Sequence, residues 1–144
     1  MPLPADPDDP ALLASELRVV LGQLVRRLRT QHRFPLSQGM VLGRLDRRGA
    51  MGVSDLAAAE RVRPQSMAQT VADLEAAGMV TRRPDPADGR RALVELTAEG
   101  LATLQADRRD RESWLARQIA EDLGPEDRAT LRRSVELLRR LAEG

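Results

Sequence analysis

Along most of this 144-residue chain the apolar residues recur every three or four positions, but Met79-Val80-Thr81 is strand-like and Ala92 to Leu96 alternates with a period of two, Leu96 matching Val94. The first spacing builds a helix with one apolar face, and the second builds a half-buried strand. The fold is therefore expected to be mainly α with a small β-hairpin. Its arms are Met79-Val80-Thr81 and Ala92 to Leu96. The segment from Pro84 to Gly89 between them is dense in turn-forming residues.

Four helices are expected ahead of the hairpin. The first starts at Ala11, carries Leu13, Leu17, Val20, Leu21, Leu24, Val25 and Leu28, and ends at Phe34-Pro35, since a residue before proline avoids the α region. Ser37 is the expected N-cap of the second, which turns Val41, Leu42 and Leu45 inward and stops at Gly49. Met51-Gly52-Val53 leaves room for a single β-bridge, and Ser54 is expected to cap a third helix containing Leu56 and Ala57. Pro64 suits the first position of a fourth helix, with Met67, Val71 and Leu74 inward and Gly78-Met79 closing it. Beyond the hairpin, Thr97 caps a long helix reaching about Leu123. Gly124-Pro125-Glu126-Asp127 then starts a last one, with Leu131, Val135, Leu138 and Leu141.

Composition narrows the chemistry. The chain has no cysteine and a single histidine, His32, so disulfides, thiolate zinc sites and cysteine redox switches are excluded. No carboxylate cluster has a metal-ligand spacing, and neither a Gly-rich phosphate loop nor a nucleophile elbow occurs. A chain that is not an enzyme and needs no cofactor or metal is expected. No apolar run spans a bilayer and the N-terminus lacks signal-peptide character, so the expected location is cytoplasmic, without membrane contact. All 23 basic residues are arginine, yet the formal net charge is only +1, so bulk charge points to no partner.

Local charge is more informative. Ala57 as the small residue of one helix, Val62 as an apolar plug at the turn, and the Met67, Val71 and Leu74 steps of the next fit a helix-turn-helix. The second helix then presents Gln65, Ser66, Gln69 and Thr70 outward, side chains able to bond base edges or phosphates. Arg82 and Arg83 flank one side of the hairpin loop and Arg90 and Arg91 the other. Over residues 79–93 four Arg against Asp85 and Asp88 leave a local charge of +2. Such an arm suits phosphates or a minor groove, although a solvated charged hairpin would look the same.

Taken together, Leu56-Ala57, Val62, Pro64, Val71, Leu74-Glu75, Gly78-Met79-Val80, Asp88-Gly89-Arg90 and Leu96-Thr97-x-x-Gly100 resemble the MarR family of bacterial regulators. The resemblance implies a winged helix-turn-helix over 36–98, flanked by dimerisation helices at 11–33 and 99–144, in one domain of 11–144 behind a flexible tail of 1–10. It implies a transcription regulator, most often a repressor, that binds double-stranded DNA on a pseudo-palindromic operator as a homodimer. The helix at 64–77 would enter the major groove. Arg90 would lie at the wing tip, braced by Asp88, with Arg63, Arg82, Arg83 and Arg91 as further DNA contacts. A small aromatic or anionic effector would bind between the dimerisation helices and the winged domain, near His32 and Arg33. Two positions depart from the family pattern: Arg63 stands where Ser or Thr is common, and Gln69 where a basic residue is common.

Apolar surplus supports the dimer independently of the resemblance. A small winged module cannot cover both the Leu13, Leu17, Leu21 and Leu24 stripe and the Leu131, Val135, Leu138 and Leu141 stripe. A second copy can. The alternative is a winged-helix module that binds a small molecule or protein without DNA. Taken alone, His32 is expected to be solvated, and Trp114 to lie in the core or a dimer interface.

Overall fold

The computed structural model describes residues 9–144. Eight of the ten residues expected to form a flexible tail lie outside that range. The other two belong to the first helix: the Asp9 side chain accepts from the Ala11 N–H at 3.0 Å, and Pro10 opens the helix. The elements run α1 (Pro10–Arg29), α2 (Leu36–Arg48), β1 (Met51–Gly52), α3 (Val53–Glu60), α4 (Pro64–Ala76), β2 (Val80–Pro84), β3 (Ala92–Leu96), α5 (Ala98–Asp122) and α6 (Pro125–Glu143). This is the expected mainly helical chain with a small β wing.

Several boundaries differ from expectation, each for a physical reason. α1 stops at Arg29 rather than at Phe34-Pro35. The N–H groups of Thr30, Gln31 and His32 bond three residues back, and the chain then turns toward α5. Helix α2 starts at Leu36, ahead of Ser37, because Pro35 already has the φ of a helix entry (−57°) and an N-terminus does not need its missing N–H. Helix α3 starts at Val53, one residue before Ser54, with Gly52 as its cap. Instead of one bridge, β1 makes two pairs with β3, Met51 to Val94 and Gly52 to Leu93, giving a three-stranded antiparallel sheet in the order β1-β3-β2.

One core joins these elements. Val41, Leu42 and Leu45 of α2, Leu56 and Ala57 of α3, and Met67, Val71 and Leu74 of α4 pack with Val80, Val94, Leu104 and Phe34. The end of α4 is a Schellman turn: the Met79 N–H reaches the Leu74 carbonyl at 2.9 Å and the Gly78 N–H the Glu75 carbonyl at 3.0 Å, with Gly78 at φ +75°. This turn sets the chain onto β2, where Val80 faces Leu96 across the ladder. Thr97 fastens the other end. Its hydroxyl accepts from the Gly100 N–H at 2.9 Å, capping α5, and donates to the Gly78 carbonyl at 2.6 Å. A Cβ on Gly100 would stand 2.0 Å from the Met79 carbonyl oxygen, so only glycine lets α5 lie against the α4–β2 junction.

Helices α1 and α6 are different. Neither has a buried residue. Leu13 is 61% exposed and Leu141 73%. Of the two expected apolar stripes, Leu13, Leu21, Val135 and Leu141 are exposed and Leu17, Leu24, Leu131 and Leu138 half-buried, so this chain covers neither stripe fully. No helix of the described residues is long and apolar enough to cross a membrane.

Candidate nucleic-acid interface

Helices α3 and α4 form the helix-turn-helix. Arg61 closes α3 in the left-handed region (φ 55°), and the Val62 N–H returns to the Ala57 carbonyl at 3.0 Å. Val62 itself is 43% exposed, so it is not the apolar plug expected of it. The backbone bond holds the turn, and Leu56, Ala57 and Met67 of the two flanking helices are buried in the core. Arg63 is the N-cap of α4 and makes no side-chain capping bond, leaving it exposed in front of the helix. On α4, Gln65, Ser66 and Gln69 are exposed, Gln65 and Gln69 on the side opposite Met67, Val71 and Leu74, while Thr70 is partly buried at the flank of that apolar face. Gln69 donates to the Asp73 carboxylate at 2.9 Å, and the Thr70 hydroxyl donates to the Ser66 carbonyl at 3.0 Å.

The wing is a well-bonded loop. The Asp85 N–H reaches the Arg91 carbonyl at 2.9 Å, closing the β2–β3 ladder, and the Ala87 N–H bonds the Asp85 side chain at 2.9 Å. Asp88 braces Arg90 through the backbone: its carboxylate accepts from the Arg90 N–H at 3.1 Å, and its carbonyl from the Arg91 N–H at 3.0 Å.

Three of the four wing arginines are paired. Arg82 meets Glu75 of α4 at 3.2 Å, Arg83 meets Glu95 across the hairpin at 2.9 Å, and Arg91 meets Asp55 of α3 at 2.6 Å. The hydrogen bond from Arg91 to Asp55, and next the Asp55 charge, raise the guanidinium pKa above its ordinary value. Arg90 is exposed and makes no ion pair among the described residues. The sequence brought the four arginines to one loop, but not this division among them.

A second constellation lies where α1, α2 and α5 meet. A cavity of about 500 Å³ is walled by apolar residues including Leu28, Phe34, Met40 and Leu104. Its charged lining is Arg29, Arg44, Arg47, Arg108 and Arg111 against Glu60 and Asp107, with His32 beside them. Arg44 is bonded to Glu60 and Arg108 to Asp46. His32 is not solvated as expected: its Nδ1 sits 3.1 Å from Asp107, which is fully buried. Asp107 also accepts from the Arg33 N–H at 2.8 Å and from Arg111 Nε at 3.1 Å. The Arg33 side chain points elsewhere, to Asp110 at 2.7 Å, whose carboxyl is held below its ordinary pKa by that hydrogen bond. Arg33 is thus absent from the cavity lining. Asp107 was not singled out in the sequence, since a lone acid on a heavily charged helix gives no periodic signal. Trp114, half-buried on α5, lies under the Arg27 guanidinium, 5.1 Å from the ring centroid.

Comparison with known proteins gives a consistent picture. The MarR family model matches residues 34–92. An uncharacterized HTH-type transcriptional regulator of Mycobacterium leprae is 44% identical over 90 residues, 60% of this chain and 63% of that protein. The match therefore spans less than two thirds of that curated relative's length. A crystal structure from Pseudomonas aeruginosa PA01, of a protein described as a transcriptional regulator, is 37% identical with a TM-score of 0.85, covering 96% of this chain and 99% of the other. A Staphylococcus aureus MepR variant crystallised with an oligodeoxyribonucleotide is similar in fold, with 18% identity and a TM-score of 0.69, covering 90% of this chain and 97% of the other.

Proposed function

The chain belongs to the MarR family, and from that premise we propose that it is a ligand-responsive transcription regulator, acting as a repressor, that binds duplex DNA as a two-fold homodimer. The observation that carries this reading is the wing, a hydrogen-bonded basic loop whose tip arginine, Arg90, has no carboxylate partner among the described residues while its neighbours are paired. Beside the wing in sequence, α4 offers Gln65, Ser66 and Gln69 to solvent, with Thr70 at their flank and Arg63 ahead of them. Polar side chains near the start of such a helix reach base edges in a major groove, and arginine at a wing tip meets phosphate or a narrow minor groove. The similarly folded MepR variant crystallised with an oligodeoxyribonucleotide supports the same use of the fold.

The dimer reading rests on the partly covered stripes of α1 and α6, where Leu13, Leu21, Val135 and Leu141 stay exposed. Apolar rows left exposed on two terminal helices are stabilised when a second copy buries them. The effector reading rests on the α1–α2–α5 cavity. Five arginines against two acids leave its lining at +3, around an apolar wall, which suits an aromatic or other apolar anion. His32 lines that cavity, and Arg33 supplies its backbone to the same corner.

A titration of random-sequence duplex tests the DNA reading, followed by fluorescence anisotropy at several salt concentrations. The expected result is binding that weakens as salt rises, because arginines displace counterions from phosphate. No binding at low salt would leave the alternative, a winged-helix module for small molecules or proteins.

A further inference from the structure

Among the described residues one wing arginine, Arg90, makes no ion pair and three are paired, and Arg91 is the one at the loop end of the wing whose partner lies on α3. Its guanidinium leaves the base of the β3 arm, crosses β1 and meets Asp55 in the first turn of α3, 36 residues earlier in the chain, at 2.6 Å. Gly52 lies under that crossing. Its backbone, at φ −71° and ψ 155°, is open to any residue, so no turn requires a glycine there. Its lack of a side chain matters to Arg91: a Cβ on Gly52 would stand 2.6 Å from Arg91 Nη2, so a side chain there would push the guanidinium off Asp55. The bare glycine leaves open the path along which Arg91 reaches Asp55.

We infer that Arg91 is the wing's positioning residue, laid across Gly52 onto Asp55 to fix the loop against α3, so that Arg90 rather than Arg91 meets the DNA. This rests on the DNA-binding reading above. The hydrogen bonds support it, since the Arg91 carbonyl holds the Asp85 N–H and its own N–H is held by the Asp88 carbonyl. Anchoring Arg91 therefore anchors both sides of the loop that carries Arg90. On DNA, the tether acts by lowering the disorder that the wing must lose when it docks.

The sign of the Asp55→Ala effect is the test. Removing an acid from a DNA-binding face should strengthen binding by charge alone. If Asp55 tethers the wing, its removal weakens duplex binding instead, by about two- to fivefold per subunit, as expected for an exposed ion pair. Arg91→Ala should match it in size and leave the salt dependence unchanged, whereas Arg90→Ala should lower the salt slope by about one unit per subunit. The exchanged pair, Asp55→Arg with Arg91→Asp, should recover most of the affinity. Gly52→Ala should weaken binding in the parent and add nothing in the Arg91→Ala background.

Amide hydrogen exchange reads the tether without DNA. Residues 85–91 should exchange faster in Asp55→Ala and Arg91→Ala, and as in the parent in Arg90→Ala. Tighter binding by Asp55→Ala, a salt slope lowered by Arg91→Ala, an exchanged pair no better than Arg91→Ala alone, or unchanged exchange would each overturn the inference. If the parent binds no duplex, the DNA-binding reading fails and Arg91's role on DNA fails with it, while the exchange arm still shows whether the tether exists.

Discussion

Asp107→Ala is the perturbation with the largest expected effect on the fold. Asp107 is a wholly buried carboxylate on α5, and it holds the connection between α1 and α2 by accepting from the Arg33 N–H at 2.8 Å, His32 Nδ1 at 3.1 Å and Arg111 Nε at 3.1 Å. Truncation leaves the Arg33 N–H without its acceptor and removes the only acid bonded to Arg111 among the described residues. Removing one partner of a buried charged pair costs about 3–5 kcal/mol. The Arg111 side chain is 30% exposed and can turn to water, which places the expected loss near the lower end, about 3 kcal/mol. Asp107→Asn keeps an acceptor for the Arg33 N–H but loses the charge, so about half that loss is expected, on the order of 1.5 kcal/mol for a charged hydrogen bond. Urea unfolding at one fixed protein concentration measures both, because the stability of any oligomer varies with concentration. The midpoint should fall in the order parent, Asn, Ala with the slope unchanged. An Ala variant within about 0.5 kcal/mol of the parent, the range of ordinary surface changes, would refute the reasoning.

Gly100→Ala should destabilise by about 1–3 kcal/mol, because the new methyl would meet the Met79 carbonyl at 2.0 Å and that neighbour is backbone. Thermal unfolding checks it, and an unchanged midpoint would contradict the close packing of α5. Gln65→Ala should change the preferred base at one position of the site by about 1–3 kcal/mol. Gln69→Ala should change it less, because Gln69 must first leave the Asp73 carboxylate; binding competition among single-base variants of the site would show the order. An aromatic carboxylate that fills the α1–α2–α5 cavity should raise the unfolding temperature and weaken duplex binding together. A panel of such compounds that did neither would remove the effector reading.

The sequence marked the elements whose signals are local and periodic. Pro64 and Pro125 opened helices where expected, Gly78-Met79 formed the expected Schellman turn, and Thr97 capped α5. Features that depend on distant residues were not legible. The Arg91–Asp55 and Arg82–Glu75 pairs join separate elements, and charge pairing across elements has no period to read. Asp107 looked like one more acid on a charged helix until the α1–α2 connection was folded against it. Val62 misled because an apolar residue at a turn suggests a plug, whereas here Val62 is exposed and a backbone bond holds the turn. The caps of α2 and α3, Pro35 and Gly52, each lie two residues ahead of the expected Ser37 and Ser54, the ordinary scatter where a proline or an adjoining core residue extends the first turn.

The most direct measurement of the central claim is selection of bound duplexes from a random DNA pool, with the mass of the complex measured on the selected site. A two-fold dimer with one α4 per subunit should enrich an inverted repeat whose half-site centres lie about 10 base pairs apart. It should place two 15.9 kDa chains on each duplex. A pool with no enriched site, or an asymmetric site held tightly by a single chain, would contradict it.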